Sequence, residues 1–185
     1  RLPVWEASKE VGKELKQGAI VMALKRLSEE LDFKINHKIN KVLRNTGEIT
    51  VRSSLNDYTY VISDTILENM TRLLNEINQR PDVFYTSSRG VNEANIVISE
   101  SVSNLIEKHF KNEKLSHKTK NLSSITVKLP IENISVPGVY YFIFQRLAWE
   151  GIVLNEVIST TNEFTIIVSD DYVDKAFRVI KDLKN

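Results

Sequence analysis

The chain has 185 residues, of which 42% are hydrophobic and 26% charged, and its formal net charge is +1. This composition is typical of a soluble globular protein, and it excludes a disordered chain and a surface that attracts nucleic acid everywhere. The lack of cysteine excludes disulfides, thiolate metal sites and cysteine nucleophiles. Because apolar stretches fall well short of the ~20 residues of a membrane-spanning helix, we predict a cytoplasmic protein without membrane contact.

Charge is distributed unevenly along the chain. Residues 1–55 carry 11 basic and 7 acidic side chains, residues 56–115 carry 6 and 9, and residues 116–185 carry 8 and 8. The positive excess therefore lies in the N-terminal segment, where a nucleic-acid surface is to be sought first.

The N-terminal segment, residues 1–55, is predicted to be a small helical domain. A turn at residues 32–36 separates its last two helices, and a short strand at Glu48–Val51 follows. Three short helices and a β-element are the ingredients of a winged helix-turn-helix domain. The predicted helices are Val4–Lys16, Ala19–Leu31 and Lys34–Arg44.

The third predicted helix carries a candidate nucleic-acid surface. Lys34, Lys38 and Lys41 are spaced i, i+4 and i+7, which places them along one helix face. Such a stripe can contact phosphates, while neighbouring amide and imidazole side chains reach base edges. The alternative is a solvated face opposite a buried side of Ile35, Ile39, Val42 and Leu43. The full candidate set is Lys34, Asn36, His37, Lys38, Lys41 and Arg44.

An internal repeat organises the rest of the chain. The segment 92–100 (NEANIVISE) matches the segment 162–170 (NEFTIIVSD) at an offset of 70 residues. We therefore predict two similar units, at residues 56–115 and 116–185.

Each unit is predicted as strand, helix, strand, strand and helix, which is βαββαβ-like up to the final strand. The polar segment 111–123 is predicted to be a linker between the units. Since each unit has too few residues to bury both faces of a sheet, we expect helices on one face and a homodimer that covers the open face or edges. In the first unit the elements are Tyr58–Ile62, Asp64–Gln79, Val83–Ser87, Ala94–Ile98 and Ser101–Phe110. In the second they are strands at 125–129, Ile152–Ile158 and Phe164–Val168, a helix from Pro137-Gly138 to Gly151, and a last helix that contains 173–180.

The second unit resembles the ACT domains of aspartokinase. The resemblance is carried by the segment 136–148 (VPGVYYFIFQRLA), by 151–159 (GIVLNEVIS) and by 162–168 (NEFTIIV), and through the repeat it extends to the first unit. It implies an α+β fold of tandem ferredoxin-like βαββαβ domains that pair side by side. It also implies that an amino acid binds where the domains pair and regulates whatever is attached to them.

A helix that begins at Pro137-Gly138 presents unpaired backbone amides and a positive dipole end to an α-carboxylate. The α-ammonium group needs carbonyl or carboxylate oxygens, which Asn155, Glu156 or Asn162 can supply. The alternative is that Pro137-Gly138 is only a turn and a helix start. The resemblance implies effector contacts at Ser135, Val136, Pro137, Gly138, Val139, Asn155 and Glu156, with Asn162 and Glu163 beside them.

The first unit begins its helix differently, with Ser63-Asp64-Thr65 in place of Pro-Gly. Because Asp64 repels a carboxylate, we expect this copy to have a structural role or to provide a complementary half-site.

Catalytic constellations are missing from the sequence. His37, His109 and His117 have no metal-ligand spacing, and no Gly-rich phosphate loop occurs. We therefore predict a non-enzyme without metal or cofactor. The leading hypothesis is a non-catalytic regulatory protein that senses an amino acid or similar small molecule through paired ACT domains, with transcriptional regulation as one role that it could serve. The second is a regulatory subunit that docks on a separate enzyme of amino-acid metabolism, such as a kinase, and the third is an enzyme with an unfamiliar site.

Overall fold

One long helix, α1 (Gln17–Arg44), opens the part of the chain that the structure describes. The structure is a computed structural model that describes the backbone of residues 17–184 and the side chains of residues 18–27 and 37–184. The turn predicted at residues 32–36 is wrong, because helix runs through it. No Gly or Pro interrupts the chain between Gly18 and Gly47, so nothing ends the helix earlier.

The winged-helix arrangement predicted for residues 1–55 is therefore not confirmed. The helix predicted at Val4–Lys16 lies outside the described residues. The helices predicted at Ala19–Leu31 and Lys34–Arg44 are parts of the single continuous helix α1. With 28 residues, α1 spans about 42 Å.

After α1 the order strand, helix, strand, strand, helix occurs twice, in a first half and a second half. The strands pair antiparallel in one sheet of order β2-β3-β1-β4-β6-β5. This confirms the predicted α+β class. In the first half the elements are β1 (Ile49–Val61), α2 (Ile66–Ile77), β2 (Tyr85–Arg89), β3 (Glu93–Ser99) and α3 (Ser103–His109). In the second they are β4 (Leu115–Lys128), α4 (Val139–Trp149), β5 (Glu156–Ser159), β6 (Glu163–Ser169) and α5 (Val173–Asp182).

The linker predicted at residues 111–123 is wrong, because most of it forms the first part of β4. There Lys118 pairs with Tyr58 and Thr119 pairs with Asp57 of β1. Backbone pairing needs no apolar side chain, and the side chains of this part of β4 are mostly exposed. The segment therefore lacks the alternating pattern by which a half-buried strand is recognised in a sequence.

Strands β1 and β4 each serve both halves of the sheet. The second part of β1 pairs with β3 and with the first part of β4, at residues 115–119. The first part of β1, Ile49 to Arg52, pairs with the second part of β4, which also pairs with β6. Each half is thus a four-stranded sheet that borrows its outer strand from the other. The predicted domain boundaries at 55/56 and 115/116 both fall on these shared strands.

Two residues with positive φ mark the points where the shared strands pass from one half to the other. They are Ser54 (φ 59°) and Asn121 (φ 57°), and the pairing register shifts beside them. The neighbouring Leu55 and Leu122 pair with each other, and both are fully buried. The two halves are therefore related by an approximate twofold axis close to this leucine pair.

The helices cover one face of the sheet in two apolar clusters. The first-half cluster includes Ile66, Leu73 and Ile96, and the second-half cluster includes Ile125 and Phe164. The second cluster also contains three residues of α1, which therefore docks on the second half through its last turns; they are Ile39, Val42 and Leu43.

A third and smaller cluster lies at the junction of the halves. Leu55, Leu122, Val97 and Ile167 form it, and all four are fully buried. Since strand side chains alternate and Ile96 belongs to the helix-covered core, Val97 points to the opposite face.

Among the described residues, no helix combines the length and apolarity needed to span a bilayer.

Candidate functional site

The start of α4 is the part of the predicted site that the structure defines best. Gly138 adopts φ +89°, a left-handed conformation that favours glycine. The first helical hydrogen bond runs from Phe142 N to Gly138 O, at 3.0 Å, so the amides of residues 139–141 have no acceptor within the helix. The first turn contains no acidic residue. This helix end can therefore accept an external carboxylate.

The loop before α4 is tied to the turn between β5 and β6. Asn133 is buried and donates to Pro130 O and Thr161 O, both at 2.8 Å. The hydroxyl groups of Tyr140 and Ser159 are 2.7 Å apart. These contacts fix the loop relative to the sheet, so the α4 end is organised without a ligand.

The structure brings most of the predicted effector residues to this end of the sheet. Five of them form the loop and helix start, with Val139 buried in the core: Ser135, Val136, Pro137, Gly138 and Val139. Asn162 and Glu163 lie at the same end, where Asn162 O accepts a hydrogen bond from Leu129 N at 2.7 Å.

Asn155 and Glu156 are not brought to α4 within one chain. Glu156 pairs with Ile167, whereas Ser159, beside the α4 loop, pairs with Phe164 at the other end of β5. That separation along the strand is about 10 Å. Glu156 also shares the sheet face of Ile167, which is opposite to the helices.

Glu156 instead joins a polar bridge on the open face of the sheet. Asn95 Nδ2 lies 2.6 Å from Asp57 Oδ1 and 3.1 Å from Glu156 Oε1. Because Asn95 and Asp57 belong to the first half, the amide links the two halves. Beside it lies a cavity of about 210 Å³ between β2 and β5, lined by Thr86, Ser87, Ser88, Asn95, Glu156, Val157, Ile158 and Ser159.

Burial governs the electrostatics of this bridge. It raises the pKa of the Glu156 carboxyl, and the nearby Asp57 raises it further. Burial also raises the pKa of Asp57, although the hydrogen bond from Asn95 and the proximity of His117 oppose the change. The folded protein therefore takes up protons here more readily than the unfolded chain does.

We expect Glu156→Gln to remove part of the pH dependence of stability. A carboxyl whose pKa is raised on folding weakens the fold as the pH rises above its unfolded value, here 4.5. Wild-type protein should therefore lose stability relative to the variant as the pH increases towards 7. Thermal unfolding at several pH values measures the difference, with Glu163→Gln, at the exposed first residue of β6, as the control. Parallel profiles for wild type and Glu156→Gln would contradict the expectation.

A second cavity, of about 380 Å³, lies on the helix side between α1, α4 and α5. Arg44, Arg146 and Asp182 line it, so both signs of charge are present. The Arg146 guanidinium lies over the rings of Phe142, at 5.0 Å, and Trp149, at 5.5 Å. Its size and mixed charge suit a small zwitterion, so it is a second candidate ligand site besides the α4 end.

The basic face predicted on α1 is partly described. Its buried side is confirmed for Ile39, Val42 and Leu43, which are at most 3% exposed, while the side chain of Ile35 lies outside the described residues. The side chains of Lys34 and Asn36 lie outside the described residues, and the remaining members of the predicted set are exposed: His37, Lys38, Lys41 and Arg44. Nucleic-acid binding by this face stays a prediction.

Glu113 is a buried carboxylate that sequence reasoning missed. It lies before β4, in the segment predicted to be a linker, and accepts hydrogen bonds from Ser63, Thr65 and Asn69 at the start of α2. Burial alone would raise its pKa, but these hydrogen bonds outweigh burial and lower it. Its partners are 44 to 50 residues away in sequence, so no local pattern reveals the cluster.

Among the side chains that the structure describes, at residues 18–27 and 37–184, no group of three or more His, Asp and Glu is placed to hold a metal ion.

Comparison with known proteins gives a fold relationship. The chain matches no protein-family model and no curated protein sequence. Among solved structures, it is similar to aspartate kinase from Clostridium acetobutylicum, with a TM-score of 0.61 and 14% identity over 74% of this chain and 34% of the kinase. This chain therefore spans about a third of that enzyme.

Two further structures match over nearly their whole lengths. The ligand-free regulatory subunit of aspartate kinase from Thermus thermophilus gives a TM-score of 0.59 and 10% identity, covering 75% of this chain and 97% of the subunit. A protein of unknown function from Vibrio cholerae, described as a possible transport protein, gives 0.54 and 12%, covering 82% and 99%. The fold is therefore ACT-like, as the resemblance implied.

Proposed function

We propose that this chain is a non-catalytic regulatory module that binds an amino acid, or a similar small zwitterion, through its ACT-like halves. The observation that carries the proposal is the start of α4, where Gly138 opens a helix end that has free amides and no acidic residue in its first turn. The ligand carboxylate binds there. Asn162 of the same chain, or Asn155 and Glu156 of a second copy, accept hydrogen bonds from its ammonium group.

Binding at this helix end is coupled to α1. A side chain at position 138 would lie 3.2 Å from Ile39 Cδ1, so the backbone of Gly138 is in close contact with α1. A ligand at the first turn of α4 thus lies next to the place where α1 docks on the second half. Effector binding favours one position of α1 relative to the second half. This change in the position of α1 alters how the chain binds the protein or DNA that it regulates.

We further propose that two copies of the chain associate through strand edges that have no partner within the chain. Residues 49–52 of β1 and residues 115–119 of β4 have a strand partner on one side only. Unpaired edges favour association with another chain.

A protein partner is favoured as the target of regulation. The α1 helix lacks the turn of a helix-turn-helix, and its first part exposes Val21, Met22, Leu24 and Leu27. The similar Thermus structure is a separate regulatory subunit whose length this chain nearly covers. DNA is the second candidate, supported by the exposed basic face of α1. Co-purification of an enzyme supports the first, and a salt-dependent gel shift supports the second.

Calorimetric titration with each of the twenty amino acids tests the sensing proposal. We expect one or a few to bind, and we expect Gly138→Ala to weaken that binding about tenfold, because a Cβ at φ +89° is strained and lies 3.2 Å from Ile39 Cδ1, so the helix start must shift. Arg146→Ala, in the helix-side cavity, is the matched control and should leave affinity unchanged. Absence of binding by all twenty would refute amino-acid sensing, and loss of binding only in Arg146→Ala would move the site to the cavity.

A further inference from the structure

The start of α2 in the first half already holds a carboxylate from elsewhere in the chain. Glu113 Oε2 accepts from Ser63 Oγ at 2.6 Å, and Oε1 accepts from Thr65 Oγ1 at 2.7 Å and from Asn69 Nδ2 at 2.6 Å. The Glu113 residue is 9% exposed. Both of its carboxylate oxygens are thus bound, in a buried place at the positive end of a 12-residue helix.

The approximate twofold axis identifies the equivalent position in the second half. Val61 N donates to Lys114 O at 2.9 Å in the first half, and Lys128 N donates to Glu48 O at 3.0 Å in the second. The residue before the acceptor is Glu113 in one case and Gly47 in the other. Since glycine has no side chain, the second half has no internal carboxylate at the equivalent position.

We propose that the start of α2 is a carboxylate-binding site whose resident ligand is the side chain of Glu113, while the start of α4 is left open to an external carboxylate. The chain consequently binds one effector molecule, not two. The binding of one effector molecule at the start of α4 rests on the proposed function. The filling of the start of α2 by the Glu113 side chain does not.

Chemical rescue tests the occupation directly. Glu113→Ala removes the carboxylate and leaves its three donors in place, so the variant should unfold at a lower temperature than wild type. Sodium acetate, at about ten times its dissociation constant, should then raise the variant's Tm by about 3 °C or more, while sodium chloride at equal ionic strength should not. Glu107→Ala, exposed on α3, is the control and should show no acetate effect. Absence of specific rescue would overturn the proposal.

Glu113→Gln keeps the test decisive if the alanine variant does not fold. Because the pKa of Glu113 is lowered on folding, its contribution is present above the unfolded value of 4.5 and is lost as the pH falls through the folded value. The stability difference between wild type and Glu113→Gln should shrink over that range. The facing Tyr60 keeps its proton throughout, since burial above all raises its pKa to about 12. A difference that does not change with pH would overturn the proposal.

Calorimetry with the wild-type chain tests the stoichiometry. One equivalent of amino acid per chain supports the proposal, and two equivalents would overturn it. If no amino acid binds, the proposed function fails, and the acetate experiment alone then decides whether Glu113 fills a carboxylate site.

Discussion

Replacing Leu122 with alanine is expected to destabilise the protein by about 3 kcal/mol, which corresponds to a fall in Tm of about 6 to 12 °C. Leu122 is fully buried and pairs with Leu55 at the point where the shared strands cross. The substitution removes apolar burial and leaves a cavity that the surrounding strands cannot close. Thermal or denaturant unfolding measures the loss.

Leu115→Ala is the matched control, because Leu115 lies on the same strand and is 46% exposed. Its cost should stay below about 1 kcal/mol. Since the junction belongs to both halves, Leu122→Ala should also lower the stability of both in a single transition. Two separate transitions, with only one shifted, would contradict the shared core.

Gly138→Val is expected to cost about 3 kcal/mol, the second large effect. A β-branched residue at φ +89° is strained by about 1–2 kcal/mol. Its Cβ would also lie 3.2 Å from Ile39 Cδ1, so α1 must shift or repack at a further cost of about 1–3 kcal/mol. Equilibrium unfolding in urea measures the sum.

Gly151→Val separates these two contributions. Gly151 has φ +68° and no atom within 4 Å of an added Cβ. The valine substitution there therefore costs only the backbone strain. Ile39→Ala removes the atom that the new side chain would contact. The double variant Gly138→Val, Ile39→Ala should therefore lose less stability than the sum of the losses of the two single variants. If the Gly138 and Gly151 variants lose equal stability, the contact with α1 has no energetic weight.

The repeated helices and strands could be predicted because their side chains carry the pattern. The matched segments 92–100 and 162–170 supply β3 and β6, both of seven residues. The apolar positions of α2 and α5 recur at helical spacing, and residues such as Leu73 and Ile180 are buried as that spacing requires. Burial on one face leaves a local signal in the sequence.

Other features leave no such signal. The first part of β4 is held by backbone pairing and is polar, so it resembles a linker in sequence. Asp32 and Asn36 are residue types that favour turns, but the continuous helix α1 overrides that local preference at residues 32–36.

The candidate site could be predicted in part. The Pro137-Gly138 pair is a local sequence signal for the start of α4. In the structure, residues 135–139 lie at the same end of the sheet as Asn162. The bridge through Asn95 and the cluster around Glu113 join residues 38 to 61 positions apart in sequence. Such contacts follow from the order of the strands in the sheet and from the crossing of β1 with β4, which no short window of sequence encodes.

The crossing of β1 and β4 has a consequence for dividing the molecule. A chain cut in the turn between α3 and β4 would give one fragment that has lost the outer strand of its own sheet and keeps the outer strand of the other. The second fragment would be in the same position. Each piece would be incomplete alone, and only their reassembly would restore both halves, so the two products behave as a complementing pair rather than as independent modules.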